Sequence, residues 1–143
     1  MGAVGKLFRL SRDDRWLLLQ ALVAVAAAGV TVRLLSPAAV LKKVSGKAIT
    51  QSRNSLQSSV RIAWAISIAA RYVPGSKCLV QAIAGRQLLA KYGFPSEIHI
   101  GVLKDSRNWL SAHAWVEAEG KTVIGGDITA YVPLLGAHQE YRP

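Results

Sequence analysis

The stretch Pro74-Gly75-Ser76-Lys77-Cys78-Leu79-Val80-Gln81-Ala82 contains the only cysteine of the chain and joins a turn to a helix. Pro-Gly is a strong turn signal, Ser76 is suited to cap a helix, and the residues after it have helical spacing. This places Cys78 in the first turn, where unpaired backbone N–H groups and the helix dipole favour an anion. A thiolate is a nucleophile, but a lone cysteine is also commonly a small buried hydrophobic residue. A catalytic role for Cys78 therefore requires a base elsewhere in the chain.

The helix that carries this cysteine is predicted to run from Lys77 to Tyr92. Gly93 is suited to the position just after the helix end, and Pro95 prevents further extension. One face of the helix is small or apolar, with Cys78, Ala82, Gly85 and Leu89. Small residues would let the helix lie close to a sheet.

Alternating segments at 97–103, 111–118 and 122–125 predict strands after this helix. Helices followed by an antiparallel meander indicate an α+β fold. In a hairpin centred on Gly120, residues equally far from the centre are paired, which places His113 opposite Asp127. An aspartate there could hold the imidazole of His113 in the orientation of a general base. A register slip of one residue would move Asp127 to the other face and leave Glu117, which shares the face of His113, as the alternative.

Several short segments between residues 56 and 129 carry a family resemblance. They are, in order, Cys78-Leu79-Val80-Gln81-Ala82, Gly93-Phe94-Pro95, Ile98-His99-Ile100-Gly101-Val102, Ala112-His113-Ala114-Trp115-Val116-Glu117 and Val123-Ile124-Gly125-Gly126. In order and spacing they resemble the transglutaminase-like leader peptidases of lasso-peptide biosynthesis. The resemblance implies a papain/transglutaminase-like core with a Cys-His-Asp triad, in which Cys78 is the nucleophile and His113 the base. Asp127 lies where the broader family has its aspartate.

The resemblance also implies a domain organisation, a reaction and partners. An N-terminal helical region (1–55) would precede a peptidase core (56–143) in one compact unit. The enzyme would cleave the leader from a lasso-peptide precursor, with threonine preferred as the second-last leader residue. No segment here could form the fused leader-recognition domain of some relatives, so a separate leader-recognition protein is expected. An ATP-dependent cyclase that closes the macrolactam is the other implied partner.

Two other functions stay open on the sequence. One is a different transglutaminase-like acyl transferase, and the other is a non-catalytic, membrane-associated binding module. His99 is the less favoured base, and His138 is expected at the surface of the C-terminal tail. One cysteine and three scattered histidines have no metal-ligand spacing, so neither a metal nor a cofactor is expected.

The charge of the chain is unevenly distributed. The net charge is +10, and no acidic residue lies between Asp14 and Glu97. Such a surface should attract an anionic partner. Nucleic acid ranks last because the chain has no nucleic-acid-binding motif and no interleaving of aromatic and basic residues. A single cysteine suits a reducing compartment, here the cytoplasm.

An apolar segment at residues 16–35 could be a transmembrane helix, a signal peptide, or a helix that is buried or lies on a membrane. Asp13 and Asp14, directly before it, argue against a signal peptide, and Gln20 and Arg33 shorten the apolar run. A helix packed on the domain or lying at the bilayer surface is therefore favoured. Three lysines follow the apolar segment and are predicted to dock the protein on an anionic surface, namely Lys42, Lys43 and Lys47.

Overall fold

The computed structural model describes residues 5–6, 8–36, 38–40, 42, 58–104, 106–107 and 110–135. Its long helices are α1 (Arg12–Leu34), α2 (Ser59–Tyr72) and α3 (Cys78–Lys91). They precede four strands, β1 (Ser96–Lys104), β2 (Leu110–Ala118), β3 (Lys121–Ile124) and β4 (Val132–Leu135). The strands form one antiparallel sheet in the order β3-β2-β1-β4, which confirms the predicted α+β fold.

The apolar segment near the N-terminus forms α1, which packs on the rest of the domain along one face. The Ser11 hydroxyl caps its start by accepting a hydrogen bond from the Asp14 backbone N–H at 3.1 Å. Leu17, Ala21 and Val25 are fully buried in the same hydrophobic core as α2, α3 and the sheet. The Asp14 carboxylate also binds the Arg61 guanidinium of α2, with 2.8 Å between Oδ1 and Nε. One side of α1 is therefore fixed to the domain by packing and by an ion pair.

The ends of α3 follow the predicted pattern at one terminus and depart from it at the other. The cap at the start is Lys77, not Ser76 as predicted, and its side chain makes no capping bond. The Ser76 hydroxyl instead donates to the Val73 carbonyl at 2.5 Å, which commits it to the preceding turn. At the end, Gly93 has a φ of +82° and fills the predicted position after the cap. Its neighbour Phe94 donates its N–H to the Leu89 carbonyl at 2.9 Å, which completes a Schellman motif.

Helix α3 lies against the sheet at short range, as its small residues predicted. A side chain at Gly85 would collide with the Cδ1 atom of Ile124 on β3. Ala82 and Leu89 are fully buried on this side of α3. The strand residues that join them in the core are Ile98, Ala114, Val116, Ala118 and Ile124.

Two features of the sheet were absent from the prediction. Strand β4 occupies an edge beside β1, although Pro133 makes its sequence unfavourable for a strand. A bulge at Val123 also shifts the pairing of β3 with β2, because Val116 faces Ile124 while Glu117 faces Thr122. The first of these pairs agrees with a hairpin centred on Gly120 and the second does not.

Some sequence predictions fall outside the described residues. The boundary between residues 55 and 56 lies in the 43–57 gap, so the two-part domain division stays a prediction. Lys43, Lys47 and His138 are also outside the described ranges, whereas Lys42 is helical and exposed.

Candidate active site

Cys78 is the first residue of α3 and has a free, half-buried side chain. The first hydrogen bond of the helix runs from the Gln81 N–H to the Lys77 carbonyl at 3.1 Å. The N–H of Cys78 therefore belongs to the first turn, where backbone donors have no partner inside the helix. The thiol thus lies beside a backbone donor at the positive end of the helix dipole.

The preceding turn is held in place by a side chain from the first turn of α3. Gln81 donates its Nε2 hydrogen to the Ser76 carbonyl at 2.9 Å. The Lys77 N–H donates to the Gly75 carbonyl at 2.9 Å. Gly75 has a φ of +75°, which a residue with a side chain rarely adopts. These contacts fix the chain direction at the point where Cys78 begins the helix.

His113 lies on β2, and its Nε2 atom is 2.7 Å from the backbone carbonyl oxygen of Gly125. A carbonyl oxygen accepts and cannot donate, so this contact requires the proton on Nε2. In the neutral ring the Nδ1 atom is then the unprotonated nitrogen, the one that can take a proton. The ring is also packed against Tyr131, with 4.9 Å between ring centroids. His113 therefore has a fixed tautomer and a supported ring position.

Asp127 does not lie opposite His113, so the predicted cross-strand pair is wrong. Strand β3 ends at Ile124, three residues before Asp127. The exposed carboxylate of Asp127 instead accepts a hydrogen bond from the Thr129 backbone N–H at 3.0 Å. That bond lowers the pKa of Asp127 below its usual value. Among the described residues no hydrogen bond joins Asp127 to His113, and the Gly125 carbonyl occupies Nε2 instead.

Glu117, the alternative partner of His113, is hydrogen-bonded to Trp115 and lies close to His99, whose buried Nε2 atom makes no hydrogen bond within the described residues. Its Oε1 atom accepts from the Trp115 indole N–H at 3.2 Å, and its Oε2 atom lies 3.4 Å from His99 Nε2. The rings of His99 and Trp115 are stacked with 5.8 Å between centroids. The buried indole of Trp115 lies between the two histidines along this face, since it also stacks on His113 at 6.3 Å. His99 and Glu117 thus form a separate cluster on the far side of Trp115.

Cys78 and His113 line the same open cavity, which has a volume of about 550 Å³. Helix α2 supplies part of the lining, including Trp64, and the Val123–Gly126 segment supplies another part. Within the described part of the chain no hydrogen bond joins Cys78 to His113. In unliganded enzymes catalytic hydrogen bonds are often long and shorten when substrate binds.

Within the described ranges, no group of three or more His, Cys, Asp or Glu side chains could hold a metal ion. The arrangement of Cys78 and His113 fits acyl transfer, in which a thiolate attacks a carbonyl carbon and a histidine moves the proton.

Sequence reasoning missed three contributors to this site. The Gly125 carbonyl has no sequence signal because a backbone acceptor is common to every residue. Trp64 fits the helical spacing of α2 and carries no separate sequence signal, yet it lines the cavity under the guanidinium of Arg61, which lies 4.1 Å from its ring centroid. Gln81 lies in the quoted cysteine segment, and its position three residues after Cys78 could have marked it as a cavity residue.

The sequence model of one family, described as transglutaminase-like superfamily, matches residues 19–136. No curated protein and no solved structure matched the chain.

Proposed function

Because the chain belongs to the transglutaminase-like superfamily, we propose that it is a cysteine peptidase that removes the leader from a lasso-peptide precursor. The superfamily includes cysteine peptidases and acyl transferases, which share a thioester intermediate. The observation that carries the proposal is the common cavity of Cys78, at a helix start, and His113, whose Nε2 is engaged by the Gly125 carbonyl. The leader-peptidase subtype rests on the sequence segments that resemble that family.

In the proposed first step, Nδ1 of His113 takes the proton of the Cys78 thiol. The Cys78 sulfur attacks the scissile carbonyl carbon and forms a new C–S bond. The negative charge on the carbonyl oxygen is stabilised by backbone N–H groups at the start of α3, including that of Cys78. His113 then gives its proton to the leaving amine, and the C–N bond breaks. The core peptide leaves with a free amino terminus while the leader stays on Cys78 as a thioester.

In the second step, His113 acts as a base toward water. Water attacks the thioester carbon, the C–S bond breaks, and the proton returns to the Cys78 sulfur. Asp127 keeps the loop of Gly125 in shape through Thr129 and so acts as a positioning residue for His113. No cofactor takes part in either step.

The proposed partners follow from the resemblance. A separate leader-recognition protein would deliver the precursor, and an ATP-dependent cyclase would use the released amino group to close the macrolactam. Alone, the chain would process dilute precursor slowly, and the recognition protein would raise the rate. Threonine at the second-last leader position would be preferred.

The test is incubation of the chain with a precursor peptide, with and without the recognition protein, followed by mass spectrometry of the products. Cleavage at the leader–core junction should disappear in Cys78→Ala, whose circular dichroism should match the wild type. An added primary amine distinguishes the alternatives, because an acyl transferase would give leader amide where a peptidase gives leader acid. Normal cleavage by Cys78→Ala would refute the mechanism. A Cys78 thiol that does not react with iodoacetamide, in a chain without cleavage activity, would favour a binding module.

A further inference from the structure

A continuous apolar stripe runs along the exposed side of α1. Its members recur every three or four residues and are Trp16, Leu19, Val23, Ala27, Val30 and Leu34. The five large ones are strongly exposed, at 61% for Trp16, 50% for Leu19, 63% for Val23, 55% for Val30 and 79% for Leu34. Trp16 and Leu34 are separated by five full turns at about 3.6 residues per turn, so the stripe is straight. It has no partner among the described residues that would account for its apolar character.

Basic residues border this stripe. Arg15 and Arg33 also lie five turns apart at about 3.6 residues per turn, and both fall on the same edge of the stripe. Arg12 adds a charge at the start of the helix. On the other side, Lys91 of α3 lines a groove together with Trp16 and Val23 of the stripe. Within α1, the exposed acidic side chain is that of Asp13, which lies beside Trp16 on the edge of the stripe away from Arg15.

We propose that this stripe is a membrane-docking surface, and that α1 lies in the headgroup region of an anionic bilayer with the stripe buried among the acyl chains. An 18-residue window of α1 has a mean hydropathy of 2.0, while only 28% of it is buried inside the protein. Helices that lie in a bilayer interface combine an apolar face, a tryptophan and flanking basic residues. Each basic side chain near the surface adds to the attraction of anionic lipid. The apolar stripe and its basic borders match that chemistry.

The opposite face of α1 shows why the helix lies on the membrane and does not span it. Leu17, Ala21 and Val25 have no exposure because they pack in the core of the domain. The Asp14–Arg61 ion pair and the hydrogen bonds between Gln20 and the Tyr92 hydroxyl also join α1 to the other helices. A spanning α1 would leave this side of the core open to water. Docking through the exposed stripe leaves every one of these contacts intact.

The charge of the chain argues against a second copy of the chain as the partner that covers the stripe. The chain carries a net charge of +10, and the stripe is bordered by Arg15 and Arg33 on one edge and by Lys91 together with Asp13 on the other. Two such faces would therefore repel each other on association. An anionic lipid surface meets both the apolar stripe and its basic borders.

The experiment is co-sedimentation with phosphatidylcholine vesicles that either contain or lack phosphatidylglycerol. The stripe variant is Leu19→Gln with Val23→Gln, and its matched control is Leu134→Gln with Val132→Gln, on strand β4. These control residues have similar exposure, 58% and 63%. The stripe variant should bind anionic vesicles at least about tenfold more weakly than wild type, because two apolar side chains no longer enter the bilayer. The control should bind within about twofold of wild type.

A second pair of variants tests the charges. Arg15→Gln with Arg33→Gln should weaken binding at low salt, and its difference from wild type should shrink at high salt as charges are screened. Its control is Arg71→Gln with Lys121→Gln, which removes two exposed charges elsewhere. Tryptophan emission should shift to the blue with anionic vesicles, and Trp16→Phe should reduce that shift.

Thermal unfolding of every variant should match the wild type, because the altered side chains are exposed. If the Gln variant of the stripe unfolds at a lower temperature than the wild type, Leu19→Ala with Val23→Ala replaces it. Equal vesicle binding by the stripe variant and its control would overturn the proposal. So would a wild-type dimer in light scattering that the stripe variant dissociates, since a second copy would then cover the face.

Discussion

The Nε2 atom of His113 lies 2.7 Å from the carbonyl oxygen of Gly125. The sequence assigned the orientation of the His113 ring to a carboxylate, but here the acceptor is a backbone carbonyl. An acceptor at Nε2 fixes the tautomer and leaves Nδ1 free to take a proton. A backbone carbonyl has a partial charge only, so it stabilises the imidazolium less than an aspartate would. In the proposed mechanism the base is therefore oriented by the shape of the loop after β3.

The two histidines on this face of the sheet allow a matched test of the base. His113→Ala should lower leader cleavage by at least about a hundredfold, the usual contribution of a general base. His99→Ala should retain activity, because His99 lies beyond Trp115 and contacts Glu117. The measurement is kcat for precursor cleavage, with circular dichroism as the folding control. Loss of activity in His99→Ala at an unchanged fold would make His99 the base.

The Gly125 carbonyl can be displaced by adding a side chain to its own residue. Gly125 has a φ of +119°, and a Cβ there would collide with Trp115 Cβ. Gly125→Ala should therefore move the carbonyl away from His113 Nε2 and lower kcat. Its pH–rate profile should also change, since the tautomer is no longer fixed.

Gly120→Ala is the matched control for that variant. Gly120 has a φ of +76°, and a Cβ there would meet open space. Gly120→Ala strains the backbone by about 1–2 kcal/mol, and Gly125→Ala adds the collision with Trp115 to its own backbone strain, so both should lower the unfolding midpoint. Only Gly125→Ala should lower kcat. Equal kcat values for the two variants would show that the contact with Gly125 does not orient the base.

Asp127 is expected to act through its loop, and two substitutions separate that role from a direct one. The amide oxygen in Asp127→Asn can still accept the Thr129 N–H, so activity should fall less than about tenfold, below the contribution of a general base. Asp127→Ala removes the acceptor and should lower kcat further. If Asp127→Asn were as inactive as His113→Ala, the carboxylate itself would act on His113, as in the predicted triad.

The sequence predicted the parts of this fold that depend on local pattern. Helix α3 was placed to within one residue because Pro74, Gly93 and Pro95 set its ends, and β1 and β2 were found from alternation. The pairing of His113 with Asp127 failed because β3 ends at Ile124, and where a strand ends depends on tertiary packing. Strand β4 was missed because Pro133 weakens its strand signal, and the pairing with β1 that forms it is long-range.

The ion pair between Asp14 and Arg61 should contribute a pH-dependent part of the stability. The Arg61 hydrogen bond is the main cause that lowers the pKa of Asp14. A carboxyl pKa that is lower in the folded than in the unfolded chain stabilises the fold at pH values above the unfolded-state pKa, about 3.9. This stabilisation is lost as the pH falls through the folded-state pKa. Arg61→Gln should therefore lower the free energy of unfolding by up to about 1 kcal/mol at neutral pH, and the difference should vanish in acid.

Arg71→Gln is the control for this measurement, because Arg71 is an exposed arginine on the same helix. Its free energy of unfolding should differ little from that of the wild type at either pH. A difference between Arg61→Gln and wild type that persists unchanged in acid would assign the effect to the packing of Arg61 over Trp64.

The contact between Gly85 of α3 and Ile124 of β3 can be tested by a double-mutant cycle. A Cβ at Gly85 would collide with Ile124 Cδ1, but it would lie 3.5 Å from Ile124 Cγ1, which is ordinary contact. Gly85→Ala should therefore destabilise the fold by about 1–3 kcal/mol through overpacking, despite the gain in helix propensity.

Ile124→Val removes Cδ1 and alone should destabilise by about 0.5–1.5 kcal/mol. The double variant should be more stable than the sum of the single effects predicts, as measured by urea unfolding. Additive effects would mean that α3 and β3 do not meet at this pair.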